Sequence, residues 1–373
     1  MSGEQLPDIR TITRAEIGRF FLEHNDKTFR ADQVFEWLWK KACHSFNEMT
    51  SLSKFSRQLL TDHFSFHTAI PENIQRSHDG TIKTGFRLYD GLMIEGVLIP
   101  SEGRVTACIS SQVGCALGCK FCATGQLGFN RNLTPGEIFD QVTYLSYLTS
   151  TGISETALAS ITNKHRTFNF TANYLTNIVF MGMGEPFLNY EAVRESIEKI
   201  TSVEGLGISP QRITVSSIGI PRMIRKMADD KVKYHFAISL HAATDKKRDK
   251  IIPFNLHHPL REIVDALKYY HSVTGKRFTI EYILFRKFND SLADARALAL
   301  FCRNFPVKIN IIEYNQVRDP GFTQADPERT KMFIHFLESK NLVVNLRKSR
   351  GKDIDAACGQ LALRWKVSES GEG

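Results

Sequence analysis

Cys115-Ala116-Leu117-Gly118-Cys119-Lys120-Phe121-Cys122 places three of the chain's seven cysteines within one short loop, spaced C-x3-C-x2-C. Thiolates so close together form a ligand set for a soft metal centre. A structural zinc site takes four protein ligands, usually in two separated pairs, and no fourth ligand stands beside these three. A cubane iron–sulfur cluster held by three cysteines leaves one iron open, and an open iron can bind and reduce a small molecule. The competing reading makes the cysteines small hydrophobes packed in a helix. Gly114 and Gly118, interleaved with them, argue against it.

The rest of the chain fits such a centre. It has 373 residues, 42% of them hydrophobic, enough for a sizeable core. That length predicts two or three domains. A net charge of +8 and a pI near 9.0 favour a polyanionic partner. No apolar run is long enough to span a bilayer, and Met-Ser-Gly-Glu-Gln at the start does not read as a signal peptide. Sparse cysteines in a large chain do not make a disulfide scaffold. A reducing cytoplasm is the expected compartment, and it suits an oxygen-sensitive cluster.

Before the cysteine loop, two patterns follow one another. Residues 1–70 read as a small helical domain. Thr13-Arg14-Ala15-Glu16 is a capping box opening one helix, residues 29–42 carry a second, and a third starts near Ser51 with Phe55, Leu59 and Leu60 apolar. Its aromatics read as core, and Arg30, Lys40, Lys41, Lys54 and Arg57 as a basic face that is either plainly solvated or set toward RNA phosphates. Residues 71–104 change to a period of two, with turn signals at Asp79-Gly80, Asp90-Gly91 and Glu102-Gly103. Alternation there puts Glu95 on the face of Met93 and Val97. It is then either turned to solvent at a sheet edge or buried with a raised pKa, as suits a general base.

From residue 105 to about 366 the pattern is β then α, repeated. Candidate strands are 105–110, 177–181, 212–216, 234–239, 277–283 and 308–313, separated by helices at 135–148, 190–200, 221–228, 260–272 and 292–301. This is an α/β domain with a parallel sheet, and six units fit an open, partial (β/α)6 barrel. Parallel sheets build their sites at the C-terminal ends of their strands. Those ends carry the cysteine loop, Gly184-Glu185, Ser216, Ser239-Leu240-His241 and Asn315. Singly each is a weak signal; together they line one rim. Residues 149–173 form a Ser/Thr-rich insertion, expected on the bottom face of the barrel and away from the chemistry. Arg347, Lys348, Arg350 and Lys352 precede Cys358, a placement that fits phosphates arriving near a reactive thiol. Cys43 and Cys302 sit in helical patterns and read as core thiols.

The C-x3-C-x2-C loop, with an aromatic before its last cysteine, resembles the signature of the radical S-adenosylmethionine (SAM) superfamily. The run from Ile109 through Gly125, and Gly351-Lys352-Asp353-Ile354-Asp355-Ala356-Ala357-Cys358-Gly359-Gln360-Leu361, are similar to the RlmN/Cfr family of RNA adenine methyltransferases. The resemblance implies a radical SAM barrel with a helical accessory domain and a β-hairpin extension. It implies a [4Fe–4S] cluster on Cys115, Cys119 and Cys122, and SAM held by Gly184, Glu185, Ser216, Ser239, Leu240, His241 and Asn315. In the family's scheme Cys358 is methylated by SAM, a radical taken from that S-methyl group adds to the base, Glu95 serves as base, and Cys108 attacks the Cys358 sulfur to release product. The implied substrates are an adenosine of 23S rRNA in the peptidyl transferase centre, methylated at C2, and a tRNA adenosine beside the anticodon. The implied electron donor is a low-potential carrier such as flavodoxin, serving a monomeric enzyme. C8 methylation, as in the Cfr branch, is the nearest alternative. From another class, a zinc-binding RNA module without catalysis stays open.

Overall fold

A computed structural model describes residues 6–150, 175–317 and 321–363. Three helices lead: α1 (Arg14–Glu23), α2 (Arg30–Phe35), which runs on into a π-helical turn at Glu36–Lys40, and α3 (Lys54–His63). The predicted capping box opens α1, with Thr13 N–H donating to Glu16 Oε2 at 2.8 Å and Glu16 N–H returning to Thr13 Oγ1 at 3.3 Å. Trp37 and Trp39 are core, as expected, whereas Phe55 is 65% exposed and Phe29 48%. The helical region is locked to the barrel by a buried ion pair of Arg10 with Asp140 at 2.7 Å. Gly136 makes room for that guanidinium, since a Cβ there would overlap it.

The three turn signals join an antiparallel meander of β1 (Ile70–Arg76), β2 (Ile82–Arg87), β3 (Met93–Ser101) and β4 (Arg104–Ile109). After β4 a small hairpin, β5 (Gln112–Gly114) with β6 (Phe129–Asn132), brackets the cysteine loop and the short α4 (Ala123–Gln126). The β/α alternation then runs α5 (Pro135–Ser150), β7 (Asn177–Phe180), α6 (Tyr190–Thr201), β8 (Ile213–Ser217), α7 (Pro221–Asp229), β9 (His235–Ser239), α8 (Asp245–Ile251), α9 (Leu260–Thr274), β10 (Phe278–Leu284), α10 (Leu292–Cys302), β11 (Val307–Glu313) and α11 (Pro327–Glu338). A strand not singled out in the sequence, β12 (Val343–Arg347), pairs parallel with β11. The insertion at 149–173 lies, from residue 151 on, outside the described residues.

The strands form one open ten-stranded sheet, ordered β1-β2-β3-β4-β7-β8-β9-β10-β11-β12 and parallel from β4 onward. Helices cover one face. Gly96 looks that way, because a Cβ on it would stand 3.5 Å from Leu145 of α5. The opposite face is concave. Register pairs Lys83 with Val97, Val97 with Cys108, Ser216 with Ala237, Ser239 with Glu281, Glu281 with Asn310, and Asn310 with Asn345. Strand alternation adds Glu95 and Arg347 to that same face. The two sheet edges are bridged by the C-terminal segment. Gly351 N–H donates to Asp79 Oδ2 at 2.9 Å, and Ser77 Oγ donates to Asp353 Oδ1 at 2.6 Å.

Candidate active site

The cysteine loop is held from three sides. Cys115 N–H donates to Gly128 O at 2.8 Å, Lys120 N–H to Ile251 O at 3.0 Å, and Ala123 N–H to Gly359 O at 2.7 Å. Gly114, at φ +75°, is obligatory because a Cβ would overlap the Gly128 carbonyl. Burial pushes the thiol of Cys115 up to about 12 and that of Cys119 well above its ordinary value. A fully buried guanidinium, Arg248, opposes this at Cys119. Arg248 also donates to the carbonyls of Leu240 and Ile218, so it pins the ends of β8 and β9 where Ser216, Ser239 and His241 stand.

The next strand end supplies Gly184 and Glu185. Gly184 takes φ +96°, and Glu185 N–H donates to Gln112 Oε1 at 2.8 Å. Burial raises the Glu185 carboxyl to about 7, against hydrogen bonds from Ile218 N–H at 3.1 Å and Phe187 N–H at 3.0 Å. Ser216 and Ser239 share a hydrogen bond at 3.2 Å. His241 is buried, at φ +54°, and its Nδ1 accepts from Ile283 N–H at 3.1 Å. Burial brings it down to about 3, so it stays neutral. Asn289 fixes that bend by donating to His241 O at 2.7 Å. Leu240 is buried, its N–H donating to Glu281 O at 3.0 Å. Asn315 donates to Cys358 O at 3.3 Å, while its own Oδ1 is buried with no partner.

Cys108 is buried on the concave face, and burial raises its thiol to about 12. Cys358 reaches water, yet dense surroundings push its thiol up to about 11. The charge of Cys358 acts on Cys108, and Arg347 favours the thiolate of both. Glu95 resolves to the buried alternative. It has no exposure, Lys83 Nζ stands 3.4 Å from its Oε1, and Ala362 N–H donates to its Oε2 at 2.9 Å. The basic run is partly engaged: Arg347 meets Glu281 at 3.4 Å, Lys352 meets Glu313 at 3.0 Å, and Lys348 and Arg350 are exposed. All seven cysteines are free thiols.

The sequence reading missed Lys83, Gln112, Arg248 and Asn289. Arg248 lies in Asp245-Lys246-Lys247-Arg248-Asp249-Lys250, which reads as a solvated charged face. Lys83 looks like an ordinary outward residue of a β-run until its register with β3 is known.

Two family descriptions match the chain: "Ribosomal RNA large subunit methyltransferase N-terminal domain" at residues 8–65 and "Radical SAM superfamily" at residues 109–299. It is 49% identical over 355 residues to the "Probable dual-specificity RNA methyltransferase RlmN" of Christiangramia forsetii, covering 95% of this chain and 96% of that one. The protein of the same name from Flavobacterium johnsoniae is 48% identical over 355 residues, covering 95% and 97%. The chain belongs to the RlmN family of radical SAM RNA methyltransferases. A crystal structure of a radical SAM methyltransferase from Sphaerobacter thermophilus superposes with a TM-score of 0.84 at 36% identity, over 95% of this chain and 99% of that one.

Membership in this family implies a [4Fe–4S] cluster and SAM, and the residues fit both. The three thiols act on one another's charge. Yet among the described residues no three Cys, His, Asp or Glu side chains converge on a site the size of one ion. Three thiols in one loop, at Cys115, Cys119 and Cys122, are the donor set for three irons of a cubane cluster. The partnerless Asn315 Oδ1 leaves polar capacity for a small ligand at the same rim. Among the described residues no helix is long and apolar enough to cross a membrane.

Proposed function

We propose that this RlmN-family chain methylates C2 of an adenosine in 23S rRNA at the peptidyl transferase centre, and of a tRNA adenosine beside the anticodon, through S-methylated Cys358. Cys115, Cys119 and Cys122 would hold a [4Fe–4S] cluster, which would supply the low-potential electron for reductive cleavage of SAM. Glu185, with Gly184, Ser216, Ser239, Leu240, His241 and Asn315, forms the bed on which SAM is oriented. The Glu185 carboxylate meets its ammonium, and neutral His241 adds no competing charge. The enzyme works in the cytoplasm as a monomer, supplied by an electron carrier of the flavodoxin class.

The observation that carries this reading is Cys358: a water-accessible thiol on a segment fastened to Glu95 of β3, the strand that pairs with β4 and its buried thiol, Cys108. Adenine C2 is electron-poor and does not attack SAM, so a carrier sulfur must deliver the carbon. Once the methylene radical on Cys358 sulfur has added to the base, the adduct gives up its unpaired electron, which a cluster held by Cys115, Cys119 and Cys122 would take back, and Glu95 takes the proton from C2. The Cys108 thiolate then attacks the Cys358 sulfur. The sulfur–carbon bond breaks with its electron pair going to carbon, which takes a proton and becomes the methyl group. The cysteines are left as a disulfide.

Cys108→Ala tests this. The variant should assemble its cluster, accept a methyl group on Cys358 and begin transfer, then stall as protein covalently joined to RNA. The adduct is a gel band that survives denaturation and disappears with nuclease, and Cys358→Ala should give neither adduct nor product. Wild-type turnover by Cys108→Ala without adduct would falsify the two-cysteine scheme.

A further inference from the structure

The end of the Cys358 loop is fastened to the barrel by a charge. The Oε2 atom of Glu95 accepts from Ala362 N–H at 2.9 Å, and the Leu363 amide also bonds this carboxylate. Leu363 sits at φ +57°, in the left-handed region that a branched apolar residue avoids. Two successive amides turned onto one anion in this way make a nest. Such a backbone conformation persists only when its surroundings hold it there. The anion is itself held: Lys83 Nζ lies 3.4 Å from Oε1, with the lysine side chain 1% exposed and the glutamate fully buried. A lysine is almost never buried to this extent without a task for its charge.

We infer that Lys83 is a positioning residue for the methyl-carrier loop: by keeping Glu95 ionised, it maintains the anion that the Ala362 and Leu363 amides grip. Hydrogen bonds to an ionised carboxylate are about twice as strong as neutral ones, so a protonated Glu95 grips the loop less firmly. The groups acting on the Glu95 carboxyl are Lys83 from β2 and the uncharged amides of the C-terminal loop; the Cys108 thiol of β4 pairs instead with Val97. Arg347 of β12 acts instead on Cys108 and Cys358. Burial pushes the Glu95 carboxyl up, and Lys83 is the largest influence pulling it back. This deepens, and rests on, the reading in which Glu95 takes the substrate proton. On that reading the grip slackens as the proton arrives, when the Cys358 sulfur must turn toward Cys108.

The test is amide hydrogen exchange of the peptide spanning residues 357–363 in cluster-loaded enzyme between pH 5 and 9, expressed as protection over the intrinsic rate. Wild type should be protected at neutral pH and lose protection as pH falls through the titration of Glu95. Lys83→Met removes the stabilising cation, so Glu95 binds its proton more tightly and the midpoint should move up by roughly one to three pH units. The loss of protection should be largest in the pH window between the wild-type and Lys83→Met midpoints, reaching about tenfold for a shift of one unit or more. Glu95→Gln should show low protection that does not change with pH. The double variant Lys83→Met/Glu95→Gln buries no charge; it should fold well and still leave the loop unprotected, which separates loss of grip from loss of fold. An unmoved midpoint in Lys83→Met, or wild-type protection in Glu95→Gln, overturns the proposal. RNA products from Glu95→Gln report separately on its role as base: normal methylation there would sink that role while leaving the exchange result to judge the grip.

Discussion

Gly184→Ala tests how the proposed SAM bed is built. The glycine takes φ +96°, and a Cβ on it would stand 2.5 Å from Gln112 Cβ, 2.7 Å from its Cγ and 2.8 Å from its backbone nitrogen. None of these is the far end of a flexible side chain. Gln112 cannot easily retreat, because its Oε1 accepts from Glu185 N–H at 2.8 Å and its Nε2 donates to Asn132 at 2.8 Å. Two costs add: about 1–3 kcal/mol for the backbone conformation and about 1–3 kcal/mol for overpacking. The sum, about 2–6 kcal/mol, is a large part of the 5–15 kcal/mol that holds a typical protein folded. Gly103→Ala is the internal control, since Gly103 has φ +63° with nothing within 4 Å of its would-be Cβ. Urea unfolding of the two variants should differ by the overpacking part alone, about 1–3 kcal/mol, at unchanged m-value. Gly184→Ala should also lose SAM binding, because Glu185 moves with it. Equal unfolding free energies for the two variants, with SAM affinity intact in Gly184→Ala, would refute the reasoning.

Cys119→Ala should fold but lose the iron and sulfide that wild type retains after anaerobic purification; undiminished iron in a well-folded variant would remove Cys119 from the ligand set. RNA affinity should fall with salt, log K being linear in log [salt] at about −0.7 to −0.9 per phosphate neutralised; a salt-independent affinity would exclude an electrostatic footprint. At Asp79 burial pushes the carboxyl up, but hydrogen bonds from Thr81, Gly351 and Ser77 outweigh it and bring it to about 2. Its folded-state value is depressed, so its contribution is complete above the ordinary 3.8 and is lost as pH falls from about 4 toward 2. Because the side chain is exposed and screened, Asp79→Asn should cost only about 1 kcal/mol. The loss should appear as faster amide exchange at Gly351 at pH 7 and vanish near pH 2.

What the sequence disclosed follows from which signals are local. The capping box at Thr13 and the β/α alternation from residue 105 are written within a few residues each, and both are present. The rim residues emerged because strand ends are local too. Glu95 could be narrowed only to two alternatives, since its fate depends on β2 and β4 flanking it and on the C-terminal loop closing over it, a contact 267 residues away. Charge misled where burial was in play. Arg248 and Lys83 carry the residue types most often solvated; Lys83 meets Glu95 only through strand pairing, and Arg248 turns inward to the carbonyls of Leu240 and Ile218 that the fold brings together. At β12 the basic run drew attention away from Val343-Val344-Asn345-Leu346, whose exposed and half-buried residues suit an edge strand. Phe55 erred the other way: its helix is amphipathic, but the phenylalanine lies on the outer side, 65% exposed.

The placement of Cys358 also explains why an exposed thiol in a loop can be part of a defined site. Its segment leaves the last strand of an open sheet and is fastened in turn by the β1–β2 turn through Asp79 and Ser77, by Asn315 beyond β11, by the cysteine loop through Ala123 and Thr124, and by Glu95 on β3. Thr124 Oγ1 donates to Leu361 O at 2.6 Å and Ala123 N–H to Gly359 O at 2.7 Å, so the Cys358 loop and the Cys115–Cys122 loop share a wall. Individually these are ordinary hydrogen bonds, each worth about 0.5–1.5 kcal/mol net. The bonds to Glu95, Asp79 and Asp353 vary with charge, and of these three anions only Glu95 is fully buried, with Lys83 Nζ 3.4 Å from it. An open sheet cannot enclose its site by closing on itself. This chain closes it with its C-terminal segment, which leaves the covering loop removable and puts the strongest titratable fastening two residues along β3 from the partner of Cys108.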